Sequence, residues 1–216
     1  MGAQPEGLYP DARLEHRQFG KNKWERVRSS YNQIILNPEI SETFFLFNDD
    51  FFVLQRPRIT FINYVDGTLE HRVNAFRKNL GIDSSYSCGL NKLATELKLK
   101  GLDTMNFALH LPILLDKSLV KYTLSTFPEN PMFRSAYGNL NNVPYMSHKD
   151  VKIYDNESIP GEDWDFVSTT EESFAKGKVG EYIKNKFPDP CRYEGPYQKN
   201  IKERYTEEGD IIYHAG

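Results

Sequence analysis

The stretch SETFFLFNDDFFVLQRP, residues 41–57, decides how this chain folds. An almost unbroken aromatic run over residues 44–52 carries two adjacent carboxylates, Asp49 and Asp50, in its middle. A buried strand does not hold two carboxylates side by side, because each would leave water without a compensating partner. The strand is therefore expected to end at Phe47, with Asn48-Asp49-Asp50 as turn chemistry at its carboxyl end. Phe51 and Phe52 then re-enter the core beyond the turn. On this reading residues 43–47 form a buried central strand. The aspartates either decorate a solvated turn or hold something positive.

Upstream, Trp24, Val27, Tyr31, Ile34 and Ile35 recur at helical spacing over residues 22–36, with Trp24 expected in the core and Pro38 ending the helix. Downstream, residues 56–79 are less regular, with an extended piece at 59–64. Tyr86, Leu90, Leu93 and Leu97 mark a second helix that Lys100-Gly101 closes. Residues 107–115 are apolar, interrupted by His110 and Pro112. Asp116 then reads as the N-cap of a helix through Leu119, Tyr122 and Phe127, stopped before Pro128. A polar connection at 138–142 leads to short strands at 151–154 and 165–167. A final helix at 172–187 uses Phe174, Val179, Tyr182, Ile183 and Phe187.

Short strands alternating with helices predict the α/β class, a mixed sheet with flanking helices. One domain over residues 1–216 is expected, with its core at about 22–194 and the ends peripheral or irregular. In such sheets ligands gather at the carboxyl ends of strands, where Asp49 and Asp50 sit.

Composition narrows the function classes. The net charge is −3, from 27 basic and 30 acidic residues well mixed along the chain. That leaves no electrostatic footprint for nucleic acid and no polybasic membrane patch. No apolar run reaches the roughly 18–20 residues of a membrane span, and residues 1–16 carry no secretory signal pattern. Two cysteines, Cys88 and Cys191, give neither a zinc spacing nor a disulfide framework, so a reducing cytoplasm is the expected location. The hydrophobic fraction is only 39%, but 14 Phe, 13 Tyr and 2 Trp supply large apolar bodies for a core.

Adjacent carboxylates after an apolar strand suit Mg²⁺ or Mn²⁺, which take hard oxygen ligands and often share them with a substrate phosphate. The alternative for Asp49 and Asp50 is a solvated Asn-Asp-Asp turn. His110, in ALHLPILL, is either a hydrogen-bonded core residue or a general base with a pKa near neutrality. Arg134, in NPMFRSAYGNL, needs an anionic partner, either a structural carboxylate or a phosphate matched to its planar fork. Asp150 and Lys152, in SHKDVKIYD, are equally well read as a solvated strand edge or as site residues, and Lys23 and Trp24 open the first helix. Nothing follows the GxSxG, Walker A or GxGxxG patterns.

The order of these features resembles the Stealth family of sugar-1-phosphate transferases. ISETFFLFNDDFF is similar to that family's second conserved region, a Ser-x-x-Phe lead into an apolar strand and then Asn-Asp-Asp. HLPILLDKSLVKYTLSTF followed by FRSAYGNL resembles its third region, and WDFVSTTEESF resembles a later strand and polar turn. FPDPCRYE is similar to a pattern in phage and bacterial proteins of this layout, usually with Ser where Cys191 stands. The resemblance spans most of residues 22–194.

What it implies is a glycosyltransferase-A-like sheet and a metal-dependent transferase, using Mg²⁺ or Mn²⁺. Such an enzyme moves hexose-1-phosphate, or a hexose, from a nucleotide sugar (UDP-N-acetylhexosamine type) to a carbohydrate acceptor. Carried over, Asp49 and Asp50 match the metal-binding pair, with Asp49, His110 and Arg134 catalytic. Asn48, Lys23, Arg134, Ser168, Thr169 and Glu171 fall on substrate-binding positions. Two departures stand out. The family's first region, an apolar strand with an acidic loop and a helix, is not seen before residue 22, so a partner chain supplying that N-terminal unit is one expectation. Thr170-Glu171 also replaces an Asn-Asp-like pair. The rival expectation is a non-catalytic sugar-binding or structural accessory protein, phage-encoded among the options, that keeps the fold without a complete donor site.

Overall fold

The structure is a computed structural model, described here for residues 19–48, 51–55, 62–80, 84–188, 204–205 and 211–212. In chain order the elements begin with α1 (Lys23–Leu36), β1 (Thr43–Leu46), β2 (Phe51–Val53), β3 (Asn63–Val65), α2 (Leu69–Leu80) and α3 (Ser85–Leu99). Next come β4 (Ile113–Asp116), α4 (Lys117–Thr126), α5 (Phe133–Leu140) and β5 (Tyr145–Ser147). The remainder is β6 (Lys152–Ile153), β7 (Phe166–Thr169), α6 (Glu171–Lys176), α7 (Lys178–Lys186), β8 (Arg204–Tyr205) and β9 (Ile211–Ile212). The class is α/β, with small mixed sheets and flanking helices.

The sheets are smaller than one continuous mixed sheet. β1 pairs antiparallel with β4, Thr43 opposite Asp116, and Lys117 N–H extends the ladder to Glu42 O. β7 is central in a second sheet, antiparallel to β2 and parallel to β6. β3 runs parallel to β5, and β8 pairs with β9. The aromatic run therefore feeds two sheets. Among the described residues β1 has one partner strand and is half-buried, not a fully buried central strand, and Phe47 is exposed. Phe51 and Phe52 join the other sheet, where Phe52 stacks on Phe174 at 5.4 Å. Asp49 and Asp50 lie outside the described residues.

Helix ends follow the side-chain chemistry. Asn22 caps α1 by accepting from the N–H groups of Trp24 and Glu25, and Asp116 caps α4 by accepting from Ser118 and Leu119. The Ser118 hydroxyl, opposed by partial burial and aided by those backbone N–H groups, holds the Asp116 carboxyl below its usual range. Gly101, at φ +68°, takes the left-handed turn that ends α3.

Four elements depart from the sequence reading. Trp24 is exposed, because the buried side of α1 is Tyr31 with Ile35, and Arg28 donates across to the carbonyls of Leu124 and Pro128. Residues 69–80 form a helix. Among the described side chains its buried face shows at Leu69 and Val73, one turn apart, so a weak pattern concealed it. Gly138 does not begin a loop; it lies inside α5, where an added Cβ would come within 2.4 Å of the Phe107 ring. The last helix is two. Gly177, extended at φ −92° and ψ 162°, ends α6 and starts α7.

The core is a set of adjoining apolar clusters. Leu90, Leu93 and Leu97 of α3 pack with Leu69 and Val73 of α2. Each such leucine contributes about 1.5–3 kcal/mol by leaving water. A second cluster joins Tyr31, Leu115, Val120, Phe133 and Tyr137, so α5 is clamped between α4 and the segment before β4. That clamp positions Arg134. No helix among the described residues is long and apolar enough to cross a membrane.

Candidate phosphate-binding cleft

Residues 105–111 belong to none of the strands β1–β9, although Met105 bridges Thr68 and Asn106 bonds the backbone of Asp66 and Gly67, and several of their other backbone polar groups are met by side chains of α5. Asn139 accepts from Met105 N–H at 2.8 Å and donates to Met105 O at 2.8 Å. The Ser135 hydroxyl accepts from Phe107 N–H at 3.0 Å. Arg134 Nη1 donates to Leu109 O at 2.7 Å and Leu111 O at 2.8 Å, and its Nη2 donates to Asn48 Oδ1 at 2.6 Å. One guanidinium therefore joins the chain on both sides of His110 to the residue that precedes the acidic pair.

His110 is held from the other side. Its backbone N–H donates to Asp150 Oδ1 at 2.8 Å, and its Nδ1 lies 3.1 and 3.0 Å from the two carboxylate oxygens. An ionised carboxylate can only accept, so Nδ1 carries the hydrogen and Nε2 is the proton acceptor of the neutral ring. Arg72 Nη2 of α2 approaches Asp150 Oδ2 at 3.7 Å. Burial pushes the Asp150 carboxyl up, but the hydrogen bonds and charge of His110, then the Arg72 guanidinium, outweigh it. The carboxyl lies below its usual range and is ionised at neutral pH.

Asn48, His110, Arg134 and Arg72 line one cleft of about 330 Å³, together with Leu109, Tyr86 of α3 and Tyr154. Burial raises the Tyr86 and Tyr154 phenols above their ordinary value, with the Asp150 charge adding to the rise and Arg72 opposing it. Both are neutral hydroxyls at physiological pH. The cleft thus offers two guanidiniums, two hydroxyls and an imidazole set on a carboxylate. Such a group can bind an anion through charge-assisted hydrogen bonds and accept a proton beside it.

The structure brings together Asn48, His110 and Arg134 among the residues singled out in the sequence. Ser168 and Thr169 are buried in β7, Glu171 is exposed at the first position of α6, and none of the three lines the cleft. Lys23 is the first residue of α1. Asp49 and Asp50 lie outside the described residues, and among those residues no group of three metal-ligating side chains occurs. Two adjacent carboxylates, Asp49 and Asp50, are nevertheless hard-oxygen donors of the kind Mg²⁺ and Mn²⁺ take.

Asp150 is the partner that sequence reading missed. It is not a solvated edge, because its side chain is 11% exposed. Its only signal was position beside the β6 strand, and nothing in SHKDVKIYD connects it to His110, 40 residues away. Arg72 and Tyr86 were hidden for the same reason.

No protein-family model, curated protein or solved structure matches the chain. Functional assignment therefore rests on the chemistry of the cleft.

Proposed function

We propose that the chain is a metal-dependent transferase that moves hexose-1-phosphate from a nucleotide sugar to a sugar hydroxyl, on a glycosyltransferase-A-like scaffold. The observation that carries this reading is the convergence of His110 on Asp150 with Arg72, Arg134 and Asn48 in a single cleft. The guanidiniums would hold the diphosphate and offset its charge. His110 Nε2 takes the proton of the incoming hydroxyl as that oxygen bonds to the sugar-bearing phosphorus. The phosphoanhydride bond then breaks and the nucleoside monophosphate leaves with its electron pair. Asp150 fixes the tautomer and balances the imidazolium that forms. Asp49 and Asp50 are the residues that would hold Mg²⁺ or Mn²⁺, which would supply Lewis-acid neutralisation of phosphate charge.

The test is incubation with Mn²⁺ and a panel of UDP- and CMP-sugars while nucleotide release is followed. Release by wild type, lost in His110→Asn and Asp50→Ala, is the expected result. Identical behaviour of wild type and Asp50→Ala across the panel overturns the enzyme reading.

A second reading, a non-catalytic sugar-binding or structural accessory protein, is favoured by a specific observation. Arg134 donates to two backbone carbonyls and an amide, which is how a structural arginine behaves. Sugar binding without nucleotide release from any donor would select it.

A further inference from the structure

The two arginines of the cleft are held by different kinds of partner. Arg134 of α5 is fixed largely on backbone, donating to Leu109 O and Leu111 O as well as to the Asn48 amide oxygen. Arg72 of α2 is met by side chains. Its guanidinium bonds the hydroxyls of Tyr86, in the first turn of α3, and of Tyr154, just after β6. Its Nη2 also approaches Asp150 Oδ2 at 3.7 Å. We infer that Tyr86 and Tyr154 are positioning residues that aim Arg72 at a bound anion. The inference rests on the reading of this cleft as a phosphate site.

A guanidinium has donors and no acceptor, so each phenol oxygen accepts from it. A carboxylate in that place would hold the arginine too, but would cancel the charge that an anion seeks. A neutral phenol fixes the geometry and leaves the charge in place. Asp150 balances that charge only in part, because His110 engages it more closely. Its Oδ1 accepts from the His110 N–H at 2.8 Å and its Oδ2 lies 3.0 Å from Nδ1.

The two rings are anchored from opposite sides. Tyr86 packs against the leucine cluster of α2 and α3, so the core fixes where its hydroxyl stands. Tyr154 is 56% exposed, with the Lys152 ammonium 5.9 Å from its ring centre. Both line the cleft with His110 and Arg134. A long, rotamer-rich side chain is thus steadied from the core and from the solvent side. Ordering it before a ligand arrives lowers the cost of binding.

Protein-observed NMR titration of the whole chain with inorganic pyrophosphate at pH 7, which reads weak binding as well as tight, tests this in a double-mutant cycle with Arg72→Gln. Tyr86→Phe and Tyr154→Phe should each weaken pyrophosphate binding about five-fold, the worth of roughly one net hydrogen bond. In the Arg72→Gln background the same changes should alter affinity by less than about two-fold, because the residue they act through is gone. Circular dichroism should show both variants folded, and the nitrogen-15 spectrum should keep the His110 tautomer, since Asp150 is untouched. If Tyr86→Phe fails to fold, the exposed Tyr154 carries the test. Weakening that persists in full without Arg72 makes the phenols direct contacts and overturns the inference. Wild-type affinity in both Phe variants, even with a lowered melting temperature, overturns it as a purely structural role. A wild-type chain that takes up no pyrophosphate overturns it too. Binding is read without a nucleotide sugar, so failure to release nucleotide defeats the transferase reading and leaves this one standing.

Discussion

Replacing Asp150 by Asn probes the centre of the cleft with little change of shape. The carboxylate accepts from the His110 backbone at 2.8 Å and from its imidazole at 3.0 Å, and faces Arg72 at 3.7 Å. Asn keeps one acceptor for the backbone N–H but places an NH₂ against Nδ1. The imidazole must then change tautomer, so that Nδ1 accepts and Nε2 carries the hydrogen. Losing the charge-assisted imidazole bond costs about 1.5–3 kcal/mol, and the Arg72 charge loses its carboxylate in a largely buried setting. A net loss of about 2–4 kcal/mol at pH 7 follows.

The sign with pH is fixed by the direction of the shift. The folded Asp150 carboxyl titrates below the unfolded value of about 3.9. Its contribution is therefore fully present above that value and is lost as pH falls through the lower folded one. Urea denaturation of both proteins at pH 7 and under acid should show the difference shrinking under acid. Nitrogen-15 NMR of the histidine rings, assigned with His110→Asn, should show the hydrogen moving from Nδ1 to Nε2. If the proposed transfer is assayable, kcat/KM should fall by about 10²–10⁴. An unchanged tautomer together with a stability loss below about 0.5 kcal/mol would refute the role given to Asp150.

Other outcomes are equally definite. Lys117 is 7% exposed at its side chain and donates to Asn37 O at 2.7 Å and Ile40 O at 2.5 Å, so Lys117→Met should cost about 2 kcal/mol in urea denaturation by removing the ammonium from both carbonyls, of which Asn37 O keeps the Ile40 N–H at 3.4 Å. Gly138→Ala drives a methyl into the Phe107 ring and should cost about 1–3 kcal/mol, partly restored by Phe107→Leu. Burial pushes the Tyr31 phenol up to about 12, against the pull of Arg134. Because that value is raised, its contribution to stability is full below the unfolded value of about 10 and is lost as pH rises through the folded one. Ultraviolet titration should show one late tyrosine that Tyr31→Phe removes. Asp49→Ala and Asp50→Ala should each abolish any Mn²⁺-induced rise in melting temperature, and a persistent rise would place the metal elsewhere.

Where local chemistry decides, the sequence was readable. The cap at Asp116, the Gly101 turn and the leucine face of α3 came from residues that carry their own signal. What stayed hidden was set by distant partners. Leu69 and Val73 gain their burial from α3, Gly138 is glycine because Phe107 lies above it, and Asp150 is a site residue only because His110 folds onto it. Half of the cleft was legible for the same reason. His110 and Arg134 stand out as polar groups in apolar runs, whereas Arg72, Tyr86 and Tyr154 look ordinary until α2, α3 and β6 converge.

Helix α5 has one more consequence. Through Asn139, Ser135 and Arg134 it meets backbone polar groups of residues 105, 107, 109 and 111. Without those side chains the groups would be left unsatisfied, open to bonding with a second molecule. The side chains that arrange the cleft are thus also a guard against self-association. Variants designed to disable Arg134 or Asn139 should be examined for fibrils and oligomers before their lost activity is interpreted.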